Sequence, residues 1–224
     1  AFSPVVSLAG AVAAEHVGKD AFQDIDQQAL FETITKKTWS IKQTSKIPGI
    51  LGEAFNLALT PRCGPVHINL PRDVLSNSDN FGEFKKIQNT VTPTATNEDV
   101  EKTINSILSS SQPVIIAGGG IKNSHGCQEV VNLAKILNVP IVSSAGHGDA
   151  IPFNENLYAG QMGPRGNPIA SRLVKEADVI LALGTRLGFN STFLSYDNIN
   201  EHASIIQVDI EPTALGRYFP VSIA

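Results

Sequence analysis

The second half of this 224-residue chain repeats one pattern, in which a short apolar run ends in small or polar residues and a helical segment follows. The runs are rich in Val and Ile, which is typical of buried strands, and the segments between them carry apolar residues at helical spacing. Strands that alternate with helices are joined by right-handed crossovers into a parallel sheet covered on both faces. We expect strands at residues 114–117, 141–144, 179–183 and 205–210, and helices at 97–109, 126–137 and 168–176.

A change of composition divides the chain. Residues 76–97 are rich in Asn, Ser, Asp, Thr and Pro with little periodicity, as in a linker between domains. Upstream, apolar runs at 4–9 and 66–70 flank a helical pattern at 46–59, which predicts part of another α/β domain. The expected organisation is a first domain at 1–75, a linker at 76–97 and a parallel-sheet, Rossmann-like domain at 98–224.

Composition excludes several classes of function. The net charge is −4, from 17 basic and 21 acidic residues, without a block of like charge, so we expect no nucleic-acid or membrane partner. The two cysteines, Cys63 and Cys127, lack CxxC spacing, and the five histidines show no HxH or HExxH pattern. We therefore expect no metal site within the chain and a reducing, cytoplasmic location.

Small and charged residues collect where the predicted strands end. In a parallel sheet these ends share one edge, where ligands bind. Glycine admits a close backbone approach, arginine pairs with phosphate, and a carboxylate accepts from ribose hydroxyls, so the edge suits a nucleotide-shaped molecule. The candidate binding residues are Gly118, Gly119, Gly120, Gly163, Arg165, Gly166, Asn167, Gly184, Thr185, Arg186, Asp209 and Ile210. Each glycine turn alone also fits a structural role, and residues 160–168 also fit a surface loop.

Two segments of the first half carry a family resemblance. Residues 18–26, G-K-D-A-F-Q-D-I-D, resemble the G-[RK]-x-A-F-Q-E-x-D segment of acetolactate synthase-like thiamine diphosphate enzymes, and Thr35-Lys36 resembles the T-K element that follows it. Residues 64–74 resemble the G-P-V-x-[IL]-x-[IL]-P-x-D-V segment that closes the pyrimidine-binding domain of that family. Residues 118–120, 177–186 and 206–212 continue the resemblance, which covers essentially the whole chain in the order of the family.

The resemblance implies a reaction and its cofactors. Enzymes of this family use thiamine diphosphate and Mg²⁺ to decarboxylate a 2-oxo acid and to form a carbon–carbon bond. The cofactor-activating glutamate and the metal-binding GDG motif of the family are expected outside these residues, so this chain is expected to be an inactive fragment of a homodimeric or homotetrameric transferase or lyase. Phe22, Gln23 and Lys36 are its candidate catalytic residues, near an active site formed between subunits. For Phe22, core packing is the alternative.

The resemblance leaves the central-domain ligand and the substrate open. In relatives this domain binds FAD, an ADP-like nucleotide or neither, and residues 184–190 keep Arg186 but lack the G-x-R-F-D-D-R run of FAD-containing acetolactate synthases. This departure makes sulfoacetaldehyde acetyltransferase, or a related thiamine-dependent lyase, an alternative. Two other classes are a free-standing nucleotide-binding or electron-transfer module and a non-catalytic assembly piece.

Overall fold

The computed structural model describes residues 3–81 and 93–224. The chain divides into two compact units, Ala1–Thr92 and Pro93–Ala224. Much of the linker expected at 76–97 falls on residues 82–92, which lie outside the described residues. No helix in the described ranges is long and apolar enough to cross a bilayer.

The first unit is a small parallel sheet with helices. In chain order its elements are β1 (Val6–Ala11), α1 (Gln27–Glu32), β2 (Thr38–Ser40), α2 (Ile47–Leu59), β3 (Val66–Pro71) and α3 (Arg72–Ser76). β3 lies in the middle and pairs in parallel with β1 and with β2. Ile68 on β3 and Ala54 and Ala58 on α2 are buried together, so this helix covers the sheet through its small residues. All three strands therefore end at one edge.

The second unit is a five-stranded parallel sheet with helices. Its elements are α4 (Asn97–Leu108), β4 (Pro113–Ala117), α5 (Gly119–Asn123), α6 (Cys127–Leu137), β5 (Ile141–Ser143), β6 (Tyr158–Gln161), α7 (Pro168–Glu176), β7 (Val179–Leu183), α8 (Phe189–Thr192) and β8 (Ser204–Val208). The strand order is β6-β5-β4-β7-β8. The chain adds β5 and β6 on one side of β4 and then returns to add β7 and β8 on the other. The gap between β4 and β7 is thus the topological switch point, where ligands bind in folds of this type.

Alternate residues of the strands of the second unit supply its two cores. Ile115 and Leu181 pack with Val130 and Ala134 of α6 on one face. On the other face, Ile116 and Ile180 pack with α7. Apolar residues on both faces explain why these strands read as continuous apolar runs and not as alternating ones.

The α/β class and the parallel sheet of the second unit are confirmed. The predicted bounds of α7 and β7 match the structure, and those of β4, β5 and α6 differ by one residue. β6 was missed, because its four residues are only partly buried and Gly160 within it has φ +100°. α5 was also missed, since Gly119 and Gly120, expected in a turn, begin this short helix.

A single carboxylate ties β7 to the segment that precedes β4. Asp178 accepts hydrogen bonds from the Ser110 hydroxyl, from Ser111 N at 2.7 Å and from Gln112 N at 3.0 Å. Burial on its own raises the pKa of this carboxyl, but the three hydrogen bonds outweigh burial and hold the pKa below its ordinary value. Asp178 thus fixes the start of two adjacent strands.

We predict that Asp178→Asn lowers the free energy of unfolding by about 1 to 3 kcal/mol, because hydrogen bonds to a charged acceptor are lost. The folded-state pKa lies below the unfolded value of about 3.9, so the contribution is complete above that value and is lost as pH falls through the folded pKa. Denaturant melts at neutral and acidic pH measure both effects. Asp197→Asn, whose hydrogen bonds stay within two residues, is the matched control, and an equal loss in both variants contradicts the prediction.

Candidate functional site

Glycines join the loops on the two sides of the switch point. The N–H of Gly118 donates to Leu183 O at 2.9 Å, and that of Gly120 donates to Gly184 O at 3.0 Å. A Cβ on Gly118 would lie 2.3 Å from the oxygen of Gly184, and a Cβ on Gly120 would lie 2.6 Å from its Cα. Gly184 itself has φ +59°. The N–H groups of Gly118 and Gly120 are therefore used to hold the loops after β4 and β7 together.

His147 lies against Gly119, the middle glycine of the run. A Cβ on Gly119 would lie 2.5 Å from Cε1 of the half-buried His147 ring, so this imidazole occupies the space that a side chain at residue 119 would need. His147 follows β5 in the tight turn that begins at Ser144, whose carbonyl accepts from His147 N at 3.0 Å. The imidazole of His147 therefore fills the space beside the backbone of Gly119, next to the switch point.

Charged side chains surround this imidazole. Lys122 of α5 forms an ion pair with Asp149, two residues beyond His147. Burial lowers the pKa of His147, Lys122 and Arg186 lower it further, and Asp149 opposes them, with a net result below the ordinary value. The ion pair with Lys122 also lowers the pKa of the Asp149 carboxyl. Residues from α5 and from the loops after β5 and β7 thus form what we call the switch-point cluster. It consists of Lys122, His147, Asp149 and Arg186.

Sequence reasoning found only part of this cluster. It singled out Arg186 but assigned no role to Lys122 or His147. The available signal was the position of His147 in the strand-end segment 145–148, next to a glycine run. Scattered histidines are individually uninformative, and only the fold brings this one to the glycines.

The other residues expected at the strand ends show structural contacts. Thr185 is buried; its hydroxyl accepts from Leu187 N at 3.3 Å and its carbonyl accepts from Gln207 Nε2 at 3.0 Å. Asp209 closes the turn after β8 by accepting from Glu211 N at 2.9 Å. Ile210, the next residue, is 41% exposed. Asp209 is partly exposed.

The expected glycine-rich site at 160–168 is a braced turn. Gly166 N donates to Gly163 O at 2.8 Å, and a Cβ on Gly166 would lie 2.3 Å from Gln161 O. Asn167 caps α7 by accepting from Ile169 N at 2.8 Å. Arg165 projects from the turn as an exposed residue. Gly166 is thus required by the close backbone approach between β6 and the start of α7, whereas Gly163, at φ +109°, lies against backbone atoms of Asn190 and Ser191.

A separate cavity of about 460 Å³ adjoins the loop that carries Asp149. Ile151, Pro152 and Phe153 supply an apolar lining, and Asp149 is the one charged residue among those that line it. A phosphate group gains nothing from such a lining. Lys122 and Arg186, the cations of the switch-point cluster, are not among the residues that line this cavity.

The first unit holds a larger cavity, of about 760 Å³, where its three strands end. Ala11, Ser40 and Pro71, the last residues of β1, β2 and β3, all line it. The remaining lining comes mainly from the loop between β1 and α1, and includes Gln23 and three carboxylates, Asp24, Asp26 and Asp73. Polar groups therefore converge on the edge where a parallel sheet binds its ligands.

Gln23 and Phe22 lie in a loop whose shape is fixed by its own acidic residues. Gly18, at φ +73°, donates its N–H to Asp24 Oδ2 at 2.7 Å. Asp26 caps α1 by accepting from Ala29 N at 3.0 Å. Between them Gln23 adopts φ +65° and lines the cavity, while Phe22 is 87% exposed and not in the core of the unit. The loop presents these two side chains and buries neither.

Lys36 lies in a different setting. Its Nζ donates to Leu57 O at 2.6 Å and to Thr60 O at 3.0 Å, at the carboxyl end of α2. A cation there pairs favourably with the helix dipole. Among the described residues, those that line the large cavity do not include Lys36. The structure therefore brings Phe22 and Gln23 together and places Lys36 as a cap of α2.

Curated proteins resemble the chain over nearly all of its length. It is 34% identical, over 99% of the chain, to the probable acetolactate synthase large subunit of Methanococcus aeolicus, and 34% identical, over 96%, to that of Methanocaldococcus jannaschii. It is 29% identical, over 96%, to the acetolactate synthase isozyme 3 large subunit of Escherichia coli (strain K12). The chain spans 37% to 38% of the length of these relatives.

A family model covers the second unit. The model described as the central domain of thiamine pyrophosphate enzymes matches residues 100–224, which is more than half of the chain. The match begins in α4 and includes the whole five-stranded sheet with its switch point. The resemblance on residues 18–26 and 64–74 agrees with it from the other half of the chain. This chain therefore belongs to the thiamine pyrophosphate enzyme family.

Proposed function

We propose that this chain is part of a thiamine diphosphate-dependent enzyme that acts on 2-oxo acids, in the manner of acetolactate synthase. The observation that carries the proposal is the position of Gln23. This residue belongs to segment 18–26, which resembles the family motif, and it lines the cavity where the three parallel strands of the first unit end. A site of this volume accommodates part of a cofactor together with a small acid. The first unit would then be the end of the pyrimidine-binding domain.

The residues of this chain would orient the reactants and exclude water. When bound, thiamine diphosphate supplies the carbanion and the electron sink for decarboxylation, with Mg²⁺ at its diphosphate. The Gln23 amide NH2 can donate hydrogen bonds to a carboxylate or carbonyl. Val12, Val17 and Ile25 provide apolar lining around it, which strengthens such hydrogen bonds by removing water. The exposed Phe22 suits an active site completed by a second subunit of a homo-oligomer.

The switch-point cluster of the second unit would hold FAD or an ADP-like nucleotide. Arg186 and Lys122 are cations beside the gap between β4 and β7, and Asp209 ends the neighbouring strand β8 as an acceptor for ribose. This donor set fits a diphosphate attached to a ribose. The same set favours a second candidate function, a nucleotide-binding or electron-transfer module. Sulfoacetaldehyde acetyltransferase activity is the alternative within the thiamine-dependent class.

We predict that the protein expressed from its complete open reading frame forms acetolactate from pyruvate when thiamine diphosphate and Mg²⁺ are added, and that residues 1–224 alone do not. The reason is that the family requires an activating glutamate and a metal motif that these residues lack. Product formation in a coupled colorimetric assay is the measurement. Turnover by residues 1–224, or activity of the complete protein with sulfoacetaldehyde only, contradicts the proposal.

We further predict that Gln23→Leu and Lys36→Met separate binding from stability. Gln23→Leu in the complete protein should lower kcat/KM roughly tenfold or more, about 1.4 kcal/mol in the barrier, with an unchanged melting curve. Lys36→Met keeps the aliphatic stem but removes the cap of α2, so it should lower the free energy of unfolding by about 1 kcal/mol and leave kcat unaltered. Gln43→Leu, an exposed change outside the cavity lining, is the control. A Lys36→Met enzyme that is stable but inactive reverses this assignment.

A third prediction concerns Arg186. Arg186→Ala should weaken binding of FAD or ADP by about 1.5 to 3 kcal/mol, the range for hydrogen bonds to charged groups. Titration of ligand into the parent and variant proteins, alongside a denaturant melt, gives both affinity and stability. Arg172→Ala is the control, since Arg172 is exposed on α7 beside Glu176. A well-folded Arg186→Ala protein with unchanged affinity removes this residue from the site.

A further inference from the structure

His147 belongs to the switch-point cluster, but the proposed function gives its imidazole no role of its own. It lies against Gly119, the residue between the two glycines that join the loops at the switch point, and a Cβ on Gly119 would reach within 2.5 to 2.9 Å of three atoms of its ring. An anion that approaches this part of the loop must therefore contact the ring or displace it.

Within the second unit, the charged groups that face this ring come from three parts of the chain. Lys122 belongs to α5, Asp149 to the loop after β5, and Arg186 to the loop after β7. Asp149 is already paired with Lys122. Burial and the two cations together disfavour a positive charge on the ring, so the pKa of His147 lies below its ordinary value.

A bound diphosphate reverses this balance. Its negative charge beside Arg186 and Lys122 offsets their repulsion of an imidazolium and offers an acceptor to the ring N–H. The pKa of the ring then rises on binding. By linkage, the ligand must bind more tightly as pH falls through the raised value, and binding must take up a proton from the buffer.

We propose that His147 is a binding residue for the diphosphate of a dinucleotide at the switch point, and that it takes up one proton from solvent when the ligand binds. The proposal rests on the nucleotide site proposed above. The proton moves from the buffer to a ring nitrogen, and no bond of the ligand is broken. Affinity for the nucleotide is thereby tied to pH through a single side chain.

The test is calorimetric titration of FAD into the complete protein freed of flavin. FAD is a suitable probe because its diphosphate is a diester whose charge stays constant from about pH 6 to about pH 8, the range over which a histidine titrates. Two buffers of different ionisation enthalpy at each pH give the number of protons taken up. We expect uptake that approaches one proton, and a dissociation constant that rises with pH by up to roughly tenfold per unit.

Variants assign the proton to the residue. His147→Gln keeps a polar side chain of similar size and should abolish both the proton uptake and the pH dependence, with weaker binding at low pH. His202→Gln, a change at an exposed histidine of the same unit, should retain both. Adenosine, which lacks phosphate, should bind without proton uptake to every variant.

Each alternative result has a defined meaning. FAD binding to the parent protein with no pH dependence overturns the role of His147 and leaves the nucleotide site intact. Tighter binding by His147→Gln at every pH also overturns it, because the ring is then a plug that excludes the ligand. Absence of FAD binding by the parent at any pH overturns the nucleotide site and this inference together, whereas acetolactate formation tests the proposed reaction separately.

Discussion

The close backbone contact between the loop after β4 and the loop after β7 is the constraint on which the second unit depends. Gly118, Gly120 and Gly184 approach so closely that a methyl group on any of them would overlap backbone atoms of the opposite loop. Two N–H···O hydrogen bonds across this contact hold β4 and β7 together at the switch point, where the order in which strands are added to the sheet reverses. The same contact fixes the loops that carry Lys122, two residues after Gly120, and Arg186, two residues after Gly184.

Because of the same contact, the glycines have a different role from the one that a glycine run after a strand usually has. A glycine run after a strand is normally taken to expose N–H groups to phosphate, but here two of the three glycines use their N–H groups to bind the neighbouring loop. The groups left to recognise an anion are side chains from α5, from the loop after β5 and from the loop after β7. The unit resembles a dinucleotide-binding fold in its sheet order, and we propose that it differs in that recognition falls to Lys122, His147 and Arg186.

The fold could be predicted further from sequence than the site could. α7 was predicted with correct bounds because Asn167 is a strong N-cap and Pro168 suits the first turn of a helix. β6 was not predicted, because a partly buried strand that contains a left-handed glycine has neither apolar periodicity nor β-branched residues. Prediction of the catalytic residues depended on motif resemblance, and a motif does not tell a ligand-binding residue from a bracing one: Lys36, a candidate catalytic residue, caps α2. For His147 the only sequence signal was its place in the strand-end segment 145–148, which is too weak to assign a role.

The strand order of the second unit has a consequence for its synthesis on the ribosome. β4, the centre of the sheet, emerges first, and β5 covers one of its edges soon afterwards, before β6 pairs with β5. The other edge waits for β7, whose first residue is Val179, and translation proceeds at only about 5 to 20 residues per second. For several seconds a strand of nearly uninterrupted apolar residues therefore presents an unpaired edge in the nascent chain, a state that favours wrong pairing with other strands. The brevity of β4, Pro113–Ala117, limits the surface at risk during that interval.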